Sequence, residues 1–522
     1  MNKLDNLTPI IQSHLSELKL PGVISVRPGY KMVNDWPSKD PAIVVTLSPD
    51  APTPALPAEV EGVPVDIRTA TDVEQLRSAD PETYGKLAAQ HPELRTDAFP
   101  ETDTEGIAPV ADQLRAVKEP VDYTGPNGVS LQAVSGQFAI TCHASPDAGW
   151  PTLKSFLAGT QHTLTVAMYD FTSGHILESL EDSMAGSRKM NLVLDHPAPN
   201  KTRDQTDDET IADLQDKLDT RLDAAWALVK TSPKVDEFIY PNAYHIKVAV
   251  RDSKAMWLSS GNWNNSNQPD MDPIGNPSSG DQALARKSDR DWHVVIENAA
   301  LAQQYEAFIK HDLEVAAGGQ GETRGAEELV EIPDELRRVA AAQFEFHPPL
   351  RIDNEELRIT PLLTPDPGVY QQAMLNLIQS AQHKLYIQLQ YIHPSNKEDD
   401  KAFNDLIDAV GAKIDAGVDV RIILSQFQDG QWLDRLQAAG IDLSKVKLQN
   451  GVHNKGFVID GVTVALGSQN WSGDGVLRNR DASVVIESAT AAQYYEQIFV
   501  HDWTRIARQA SMQGGSTREA GA

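Results

Sequence analysis

Hydrophobic and polar positions recur with different periods along the chain, and each period predicts a secondary-structure element. Over residues 4–18 the apolar positions follow a helical period, whereas GVISVRP, AIVVTLS and VPVDIRTA are short apolar runs typical of strands. DVEQLRS begins with an acidic residue, which indicates the start of a helix. Residues 1–105 therefore predict a small α/β unit, either a module that binds a protein partner or a packing appendage without a separate role.

A second pattern occurs twice in the same order, which predicts an internal duplication. TQHTLTVAMYDF, MNLVLDH, SSGNWN, RDWHVVIE and YEAFIKHDL in the first copy match AQHKLYIQLQYI, VRIILSQ, GSQNWS, RDASVVIE and YEQIFVHDW in the second. Because strands alternate with helices in both copies, we expect each copy to form an α/β lobe with a mixed β-sheet flanked by helices.

The duplication also predicts how the rest of the chain is divided. We expect lobe 1 over residues 130–315 and lobe 2 over residues 351–505. Segments rich in turn formers and charges predict a linker over residues 106–129 and an inter-lobe linker over residues 316–350. Residues 506–522 are expected to form a disordered tail.

Charge and composition narrow the class of protein. The chain has 522 residues with 46 basic and 74 acidic side chains, and its formal net charge of −28 disfavours long-range attraction to nucleic acid or anionic membranes. Cys142 is the sole cysteine, so no intrachain disulfide can form. Because the sequence contains neither a secretion signal nor a run of about 18 apolar residues, we expect a cytoplasmic protein without a transmembrane segment, with export by another route left open.

One short polar motif occurs in each copy. HIKVAVRD and HNKGFVIDG place a histidine, a lysine and an aspartate at offsets zero, two and seven: His245, Lys247 and Asp252 in the first, and His453, Lys455 and Asp460 in the second. Asp-Gly is a strong hairpin signal, so we place a two-residue turn at Asp460 and Gly461, with Ile459 paired to Val462. An equivalent turn is expected at Asp252 and Ser253.

Counting outward from each turn predicts which side chains share a face at the open end of the hairpin. The expected clusters are His245, Lys247, Ser260 and Asn262 in the first copy and His453, Lys455, Ser468 and Asn470 in the second. Phe457, Val464 and Leu466 are expected to continue the second face as core. Such a cluster suits a phosphate, because lysine supplies charge, serine and asparagine supply hydrogen bonds, and histidine can attack phosphorus. A motif that only stabilises the hairpin is the alternative, but it does not explain a lysine and a histidine beside core positions.

The motif HxKx4D, followed after six residues by GSxN, resembles the signature of the phospholipase D superfamily. The second copy matches every position: His453, Lys455, Asp460, Gly467, Ser468 and Asn470. The first copy has Ser259 where the pattern has glycine. The resemblance covers about residues 130–505 and leaves the N-terminal unit outside.

The resemblance implies two lobes related by a pseudo-two-fold axis, with both motifs at one central site. It also implies a displacement at phosphorus in which His245 forms a phosphohistidine and His453 acts as acid and base. Because the two lysines supply the charge that a cation supplies in other phosphodiesterases, no metal or other cofactor is expected. Asp252 and Asp460 complete the catalytic motifs, and the phosphoryl oxygens are held by the paired lysines, serines and asparagines: Lys247, Ser260, Asn262, Lys455, Ser468 and Asn470.

Compact members of the family carry an acidic residue 28 positions after the histidine, which orients its ring. Asp481 occupies that place, and Asp291 is its counterpart in the first copy. The alternative is that both aspartates only cap a strand.

Between the motif asparagine and this aspartate the first copy has 18 more residues, including NSNQPDMDPIGNPSSGD. This segment predicts a loop that lies beside the site and carries specificity.

Other polar residues are given lesser roles. Asp195 and His196 end a strand of lobe 1 and are expected to line the substrate side of the site. The His-Asp pairs at 311–312 and 501–502 lie at the ends of predicted helices, where packing or hydrogen bonding is expected rather than catalysis.

The function that the sequence predicts is that of a monomeric phosphodiesterase, with the two lobes forming an intramolecular pseudo-dimer. Its expected substrate is a phospholipid or a small diester, with hydrolysis and transfer to an alcohol both open. A nuclease acting on DNA or RNA is one alternative. A non-catalytic binding protein on the same scaffold is another, although both motifs are intact.

Overall fold

The chain is described from a computed structural model. The residues that it describes are 4, 6–33, 36–49, 51–52, 54–90, 94, 124–195, 204–227, 230–232, 235–238, 243–317, 344–366, 369–428 and 430–509.

The N-terminal unit is a four-stranded sheet with short helices. Its elements in chain order are α1 (Leu7–Ser13), α2 (Leu15–Leu18), β1 (Val23–Val33), β2 (Trp36–Leu47), β3 (Glu59–Val60), β4 (Val63–Thr69), α3 (Asp72–Ala79) and α4 (Pro81–Gln90). The strand order is β1-β2-β4-β3. The three predicted strands are present, but the helix predicted over residues 4–18 is broken at His14. A capping box between Thr71 and Glu74 begins α3, as the acidic start of that segment indicates.

Buried charges and hydrogen bonds attach this unit to lobe 2. Asp434 accepts hydrogen bonds from Arg27 at 2.6 Å and from Arg68 at 3.2 Å, and its side chain is fully buried. The indole N–H of Trp36 donates to the carbonyl oxygen of Leu443 at 3.1 Å. The N-terminal unit is therefore packed on lobe 2 through desolvated contacts rather than through surface pairs alone.

The two lobes follow in the order that the duplication predicts. The elements of lobe 1 are β5 (Val134–Gln137), β6 (Ala139–Ser145), α5 (Gly149–Ala158), β7 (Thr163–Met168), α6 (Gly174–Ser183), β8 (Lys189–Leu194), α7 (Asp207–Leu218), β9 (Leu222–Trp226), β10 (Lys230–Ser232), β11 (Val235–Phe238), β12 (Val248–Arg251), β13 (Ala255–Ser259), α8 (Ser279–Ala285), β14 (Asp291–Glu297) and α9 (Ala299–Ala317). Those of lobe 2 are β15 (Leu350–Ile352), β16 (Glu356–Thr364), α10 (Val369–Ser380), β17 (Lys384–Leu389), α11 (Lys401–Asp415), β18 (Asp419–Ser425), α12 (Gly430–Ala438), β19 (Val446–Gln449), β20 (Lys455–Ile459), β21 (Thr463–Gly467), α13 (Gly473–Leu477), β22 (Asp481–Glu487) and α14 (Ala489–His501).

Each lobe is built on an eight-stranded mixed β-sheet, which confirms the predicted fold class. The strand order is β15-β6-β14-β13-β12-β7-β8-β9 in lobe 1 and β5-β16-β22-β21-β20-β17-β18-β19 in lobe 2. The last three strands of each order are parallel, and the others are antiparallel. Equivalent strands therefore occupy equivalent places in the two sheets.

The edge strands are exchanged between the lobes. β5 precedes lobe 1 in the chain but pairs with β16 of lobe 2. β15 precedes lobe 2 but pairs with β6 of lobe 1. The boundaries expected from the sequence place residues 134–137 in lobe 1 and residues 351–352 in lobe 2. The structure corrects both assignments, because a strand is placed by its hydrogen-bond partner rather than by its position in the chain.

One hydrophobic core spans both lobes and contains side chains from α9 and α14. The hydroxyl group of Tyr305 on α9 donates to the carbonyl oxygen of Ser483 in lobe 2 at 2.6 Å. The hydroxyl group of Tyr495 on α14 donates to the carbonyl oxygen of His293 in lobe 1 at 2.5 Å. These reciprocal contacts follow the pseudo-two-fold relation between the lobes and bring both sets of motif strands to the interface.

The segments between the domains are only partly described. The predicted linker over 106–129 lies outside the described residues up to 123, and the inter-lobe linker does so from 318 to 343. The predicted tail lies outside them from residue 510 onward. Residues 506–509 correct the prediction of disorder, because Arg508 pairs with Leu448 through two backbone hydrogen bonds of 2.8 Å. Among the described helices, none combines the length and apolar character needed to cross a membrane.

Candidate active site

Each motif forms the first strand of a hairpin, but the register differs from the predicted one. Asp460 and Gly461 have positive φ values of 52° and 69°, and the N–H of Val462 donates to the carbonyl oxygen of Ile459, as the Asp-Gly turn predicts. Val462 then stays outside the ladder, and Ile459 pairs with Thr463. The predicted pairing of Ile459 with Val462 is therefore wrong by one residue, because the loop contains one more residue than the turn.

The same extra residue occurs in lobe 1 and changes which residues share a face. Val248 pairs with Leu258, so a regular continuation would place His245 opposite Gly261 rather than Ser260. A shift of one residue turns the side chains of a strand to the other face. In lobe 2, accordingly, Phe457 packs in a core formed by the helices and strands of lobe 2, whereas Val464 and Leu466 pack in the core shared by the two lobes. The predicted common face of these three residues is therefore wrong.

The motif aspartates lie at the turn end of each hairpin. The carboxylate of Asp252 accepts the backbone N–H groups of Gln161, His162 and Thr163 at 2.6–2.9 Å. Asp460 accepts the three equivalent N–H groups of residues 382–384 at 2.8–2.9 Å. The expectation that these two aspartates are catalytic is corrected: their carboxylates attach the hairpin to the strand beside it, and these backbone hydrogen bonds outweigh partial burial and lower the pKa of both.

The two motif histidines face each other across the lobe interface. Their ring centroids are 6.5 Å apart, and both side chains are largely buried. Nδ1 of His245 lies 2.8 Å from Asp481, and Nδ1 of His453 lies 3.0 Å from Asp291. Each histidine is therefore held by an aspartate of the other lobe, so that the site is composed of both lobes.

Two buried salt bridges hold Asp291 and Asp481 at the lobe interface, where each contacts a histidine of the other lobe. Arg290 and Arg480 each precede one of these aspartates and are fully buried. Arg290 of lobe 1 binds Asp502 of lobe 2 at 3.0 and 3.2 Å, and Arg480 of lobe 2 binds Asp312 of lobe 1 at 2.9 and 3.1 Å. The aspartates of the two His-Asp pairs at the helix ends thus provide hydrogen bonds that join the lobes.

Both lysines lie beside the histidine of their own motif. Lys247 and Lys455 each donate to the backbone carbonyl oxygen of that histidine, and Lys455 also donates to Gln390 at 3.2 Å. The ammonium group of Lys247 is 5.1 Å from the ring centroid of Tyr169. Two lysine side chains are thus held at the centre of the interface.

The motif serines and asparagines have different environments. Ser260 and Ser468 are fully buried and donate to Asp291 and Asp481 at 2.7 and 2.6 Å. In this arrangement each serine hydroxyl is directed to a carboxylate, and the expectation that these serines hold phosphoryl oxygens stays a prediction. The motif asparagines, Asn262 and Asn470, keep 6% and 8% exposure, and their side-chain oxygens have no hydrogen-bond partner among the described residues.

Burial dominates the electrostatics of the site. It lowers the pKa of His245 to about 4, helped by the positive charge of Lys247 and opposed by Asp481. Burial also lowers the pKa of Lys247 well below its usual value, against the attraction of Asp481. Burial raises the pKa of Asp291, but the charge and hydrogen bond of His453 outweigh it and bring the pKa to about 2. His245 is therefore a neutral imidazole at neutral pH.

The longer segment of lobe 1 contains a helix and reaches the site. α8 lies within it, so the expectation of a plain loop is corrected. Asn267, at its beginning, donates to Asp291 at 3.0 Å. Of the two residues expected to line the substrate side, Asp195 is buried and accepts the backbone N–H of Tyr244, and His196 lies outside the described residues.

The family model for "Cardiolipin synthase, PLD-like domain" matches residues 374–503. This range contains the second HxKx4D motif and Asp481. Lobe 2 belongs to the phospholipase D superfamily. The resemblance inferred from the motifs is thereby confirmed, and the duplicated sheet with its equivalent motif gives lobe 1 the same architecture.

Several solved structures are more distant matches. Phosphatidylserine synthase from Haemophilus influenzae Rd KW20 is 13% identical with a TM-score of 0.49, over 73% of this chain and 90% of that chain. The phospholipase D family member Nuc from Salmonella typhimurium is 21% identical with a TM-score of 0.25, over 30% of this chain and all of that chain. NucT from Helicobacter pylori is 13% identical with a TM-score of 0.26, over 37% of this chain and all of that chain. No curated protein sequence matches the chain.

Several residues of this phospholipase D-type site were missed by sequence reasoning. Tyr169 and Gln390 contact the two lysines from equivalent positions at the ends of β7 and β17. Asp170 follows Tyr169, accepts a hydrogen bond from Asn264 at 2.7 Å, and has its pKa raised by burial. The alignment of TQHTLTVAMYDF with AQHKLYIQLQYI places Tyr169 and Gln390 together at the carboxyl ends of parallel strands, and that signal was available.

Proposed function

We propose that the protein is a phosphodiesterase that transfers a phosphoryl group through a phosphohistidine on His245. The observation that carries the proposal is the pair of histidines 6.5 Å apart, each held at Nδ1 by a carboxylate from the other lobe. When Nδ1–H donates to the carboxylate, Nε2 keeps its lone pair and is the atom available for attack or proton transfer.

In the first step, Nε2 of His245 attacks phosphorus and the bond from phosphorus to the leaving alcohol breaks. His453 donates a proton to the departing oxygen. In the second step, water or an alcohol attacks phosphorus, His453 takes its proton, and the P–N bond breaks to restore His245. The low pKa of His245 supports its role as the nucleophile, because an unprotonated imidazole is required at the start.

Charge at the interface supports stabilisation of the transition state. Lys247 and Lys455 lie beside the histidines and would supply positive charge there, and the side-chain NH2 groups of Asn262 and Asn470 would donate to phosphoryl oxygens. Since side chains supply this charge, we expect turnover to survive excess EDTA, measured with bis(p-nitrophenyl) phosphate. An absolute requirement for an added divalent metal at the chemical step would contradict this part of the proposal.

The proposed substrate is a phospholipid or a small diester. A polymeric nucleic acid gains affinity from many lysine and arginine contacts, whereas this chain has a net charge of −28. A diester headgroup needs only the few cations at the site. The match of lobe 2 to a family model described as a cardiolipin synthase domain supports a phospholipid.

The test is a side-by-side assay of phospholipid vesicles, bis(p-nitrophenyl) phosphate, DNA and RNA with the wild-type protein and His453→Ala. We expect diester turnover that changes little between low and physiological salt and against which DNA competes poorly. Tight, salt-dependent DNA binding together with DNA cleavage that His453→Ala abolishes would make the protein a nuclease. No turnover of any substrate would favour a non-catalytic role.

A further inference from the structure

The two aspartates that hold the histidines have unequal surroundings. On Asp291, Oδ1 accepts from Ser260 and contacts His453, and Oδ2 accepts from the side-chain amide of Asn267 at 3.0 Å. On Asp481, Oδ1 has the equivalent partners, but Oδ2 is buried without a hydrogen-bond partner among the described residues. Asp291, which contacts His453, is therefore held by hydrogen bonds at both carboxylate oxygens, whereas Asp481, which contacts His245, is held at one oxygen.

The side chain and backbone N–H of Asn267 are themselves fixed by hydrogen bonds. Its side chain is buried, its second amide hydrogen is directed to Asp289 at 3.1 Å, and its side-chain oxygen accepts the backbone N–H of Asn262 at 3.0 Å. Its own backbone N–H donates to Asn264 at 2.9 Å. Because Asn262 is the motif asparagine, one side chain links a proposed phosphate ligand to the carboxylate that orients a histidine.

A glycine in lobe 1 makes room for this contact. A Cβ atom at Gly261 would lie 2.6 Å from Oδ2 of Asp291 and 2.9 Å from the Cβ atom of Asn267. The equivalent residue of lobe 2 is Gln469, which accepts a hydrogen bond from Ser483 instead of reaching Asp481. Lobe 2 also lacks the 18 additional residues from which Asn267 comes. Both features that permit the contact therefore belong to lobe 1 alone.

We propose that Asn267 is a positioning residue that fixes Asp291, and through it the ring of His453, so that the two histidines of a near-symmetric site take unequal roles. A rigidly held His453 delivers and takes protons along one direction. His245, whose aspartate is held at one oxygen, keeps the freedom to move toward phosphorus and to carry the covalent bond. This inference rests on the proposed phosphodiesterase activity.

The experiment compares Asn267→Ala and the isosteric Asn267→Asp with Asn265→Ala as the matched control. Asn265 lies in the same segment, is exposed and donates to Asp204, away from the histidines. With bis(p-nitrophenyl) phosphate we expect Asn267→Ala to lower kcat about 10- to 100-fold with little change in KM, Asn267→Asp to lower it at least as much, and Asn265→Ala to match the wild type. Because His453 acts as the acid in the first step, rapid quench should show the phosphohistidine forming more slowly in Asn267→Ala than in the wild type. Equal kcat in Asn267→Ala and wild type would overturn the proposal.

A double-mutant cycle separates positioning from a general loss of structure. In the Asp291→Asn background, Asn267→Ala should cost several-fold less than in the wild-type background, since the route through Asp291 is already removed and only its hydrogen bond to Asn262 is left to lose. In the Asp481→Asn background it should keep its full effect. Equal effects in both backgrounds contradict a route through Asp291.

A measurement without turnover keeps the inference distinct from the proposed activity. In protein with labelled histidines, the Nδ1–H resonance of His453 should move in Asn267→Ala while that of His245 stays in place. Movement of both or of neither contradicts the inference, even if the wild-type protein cleaves no diester. Absence of wild-type turnover with the His453 resonance alone moving contradicts only the proposed function.

Discussion

In lobe 1 the motif has Ser259 and the strand beside it has His293, whereas lobe 2 has Gly467 and Ser483 at the equivalent positions. Oγ of Ser259 lies 2.6 Å from Nδ1 of His293, and Nε2 of that ring lies 2.8 Å from Oγ of Ser145. In lobe 2 a Cβ atom at residue 467 would overlap the hydroxyl group of Ser483. The departure from the motif glycine is therefore tolerated in lobe 1 because the neighbouring strand differs as well.

The environments of the lysines differ in the same way. Lys247 lies over the ring of Tyr169, and Lys455 donates to the amide of Gln390. Behind and beside the motif the two lobes thus use different residues, while the histidine, lysine, serine, asparagine and orienting aspartate are the same in both. The shared residues therefore set the geometry of the site, and the differing residues distinguish its two halves.

The largest effect is expected from removing either histidine. His245→Ala and His453→Ala should each lower kcat by at least about 10³-fold, and the double variant should cost little more, because members of one catalytic unit are not additive. Turnover of bis(p-nitrophenyl) phosphate measures this, with thermal unfolding to show that the fold is kept. Near-native activity in either variant would show that the lobes work as separate sites.

The ion bridges between the lobes should differ in strength. Asp312→Asn removes the close bidentate partner of Arg480, whose next carboxylate, that of Asp366, is 3.6 Å away. Asp502→Asn leaves Arg290 with Asp147 at 2.6 Å. We expect Asp312→Asn to lower the free energy of unfolding by about 3–5 kcal/mol, the usual cost of breaking a buried pair, and Asp502→Asn by less. Urea denaturation of both variants decides the order, and an equal loss would show that Asp147 contributes nothing.

The architecture could be predicted from the sequence because duplication and periodicity are properties of the chain itself. The meeting of both motifs at one central site was implied by the resemblance to the phospholipase D superfamily, not by duplication or periodicity. The crossing of Asp291 and Asp481 could not be predicted, since a spacing of 28 residues does not say which lobe a carboxylate faces. The extra loop residue, Val462, could not be predicted either. The Asp-Gly signal identifies the turn but not the residue at which β21 begins to pair with β20.

The low pKa of His245 predicts how stability and activity depend on pH. With its pKa lowered to about 4 by burial and then by Lys247, the folded state binds fewer protons than the unfolded state between about pH 4 and 6.5. Stability from the neutral ring is therefore present above pH 6.5 and is lost as the pH falls toward 4. We expect kcat/KM to fall about tenfold per pH unit below pH 4.

Two lysine variants test which cation lowers the pKa of His245. Lys247 is the larger of the two cationic influences on His245, and Lys455 is the smaller. Lys247→Met should therefore move the titration of the His245 ring upward by more than Lys455→Met does, as followed by the ring C–H resonances in NMR. The reverse order would mean that the cation of lobe 2, rather than that of lobe 1, keeps this imidazole neutral.

The smallest effects are expected from exchanging the one motif position at which the lobes differ. Gly467→Ser forces a side chain against Ser483, and we expect it to lower the free energy of unfolding by about 1–3 kcal/mol, the usual cost of overpacking a core. Ser259→Gly removes only the hydrogen bond to His293, so a loss of about 1 kcal/mol is expected, with turnover close to that of the wild type. Thermal unfolding and bis(p-nitrophenyl) phosphate turnover of the two variants test the order. If Ser259→Gly were the more harmful change, the serine of lobe 1 would be part of the chemistry rather than a packing alternative to glycine, and the two lobes would differ in the motif itself as well as around it.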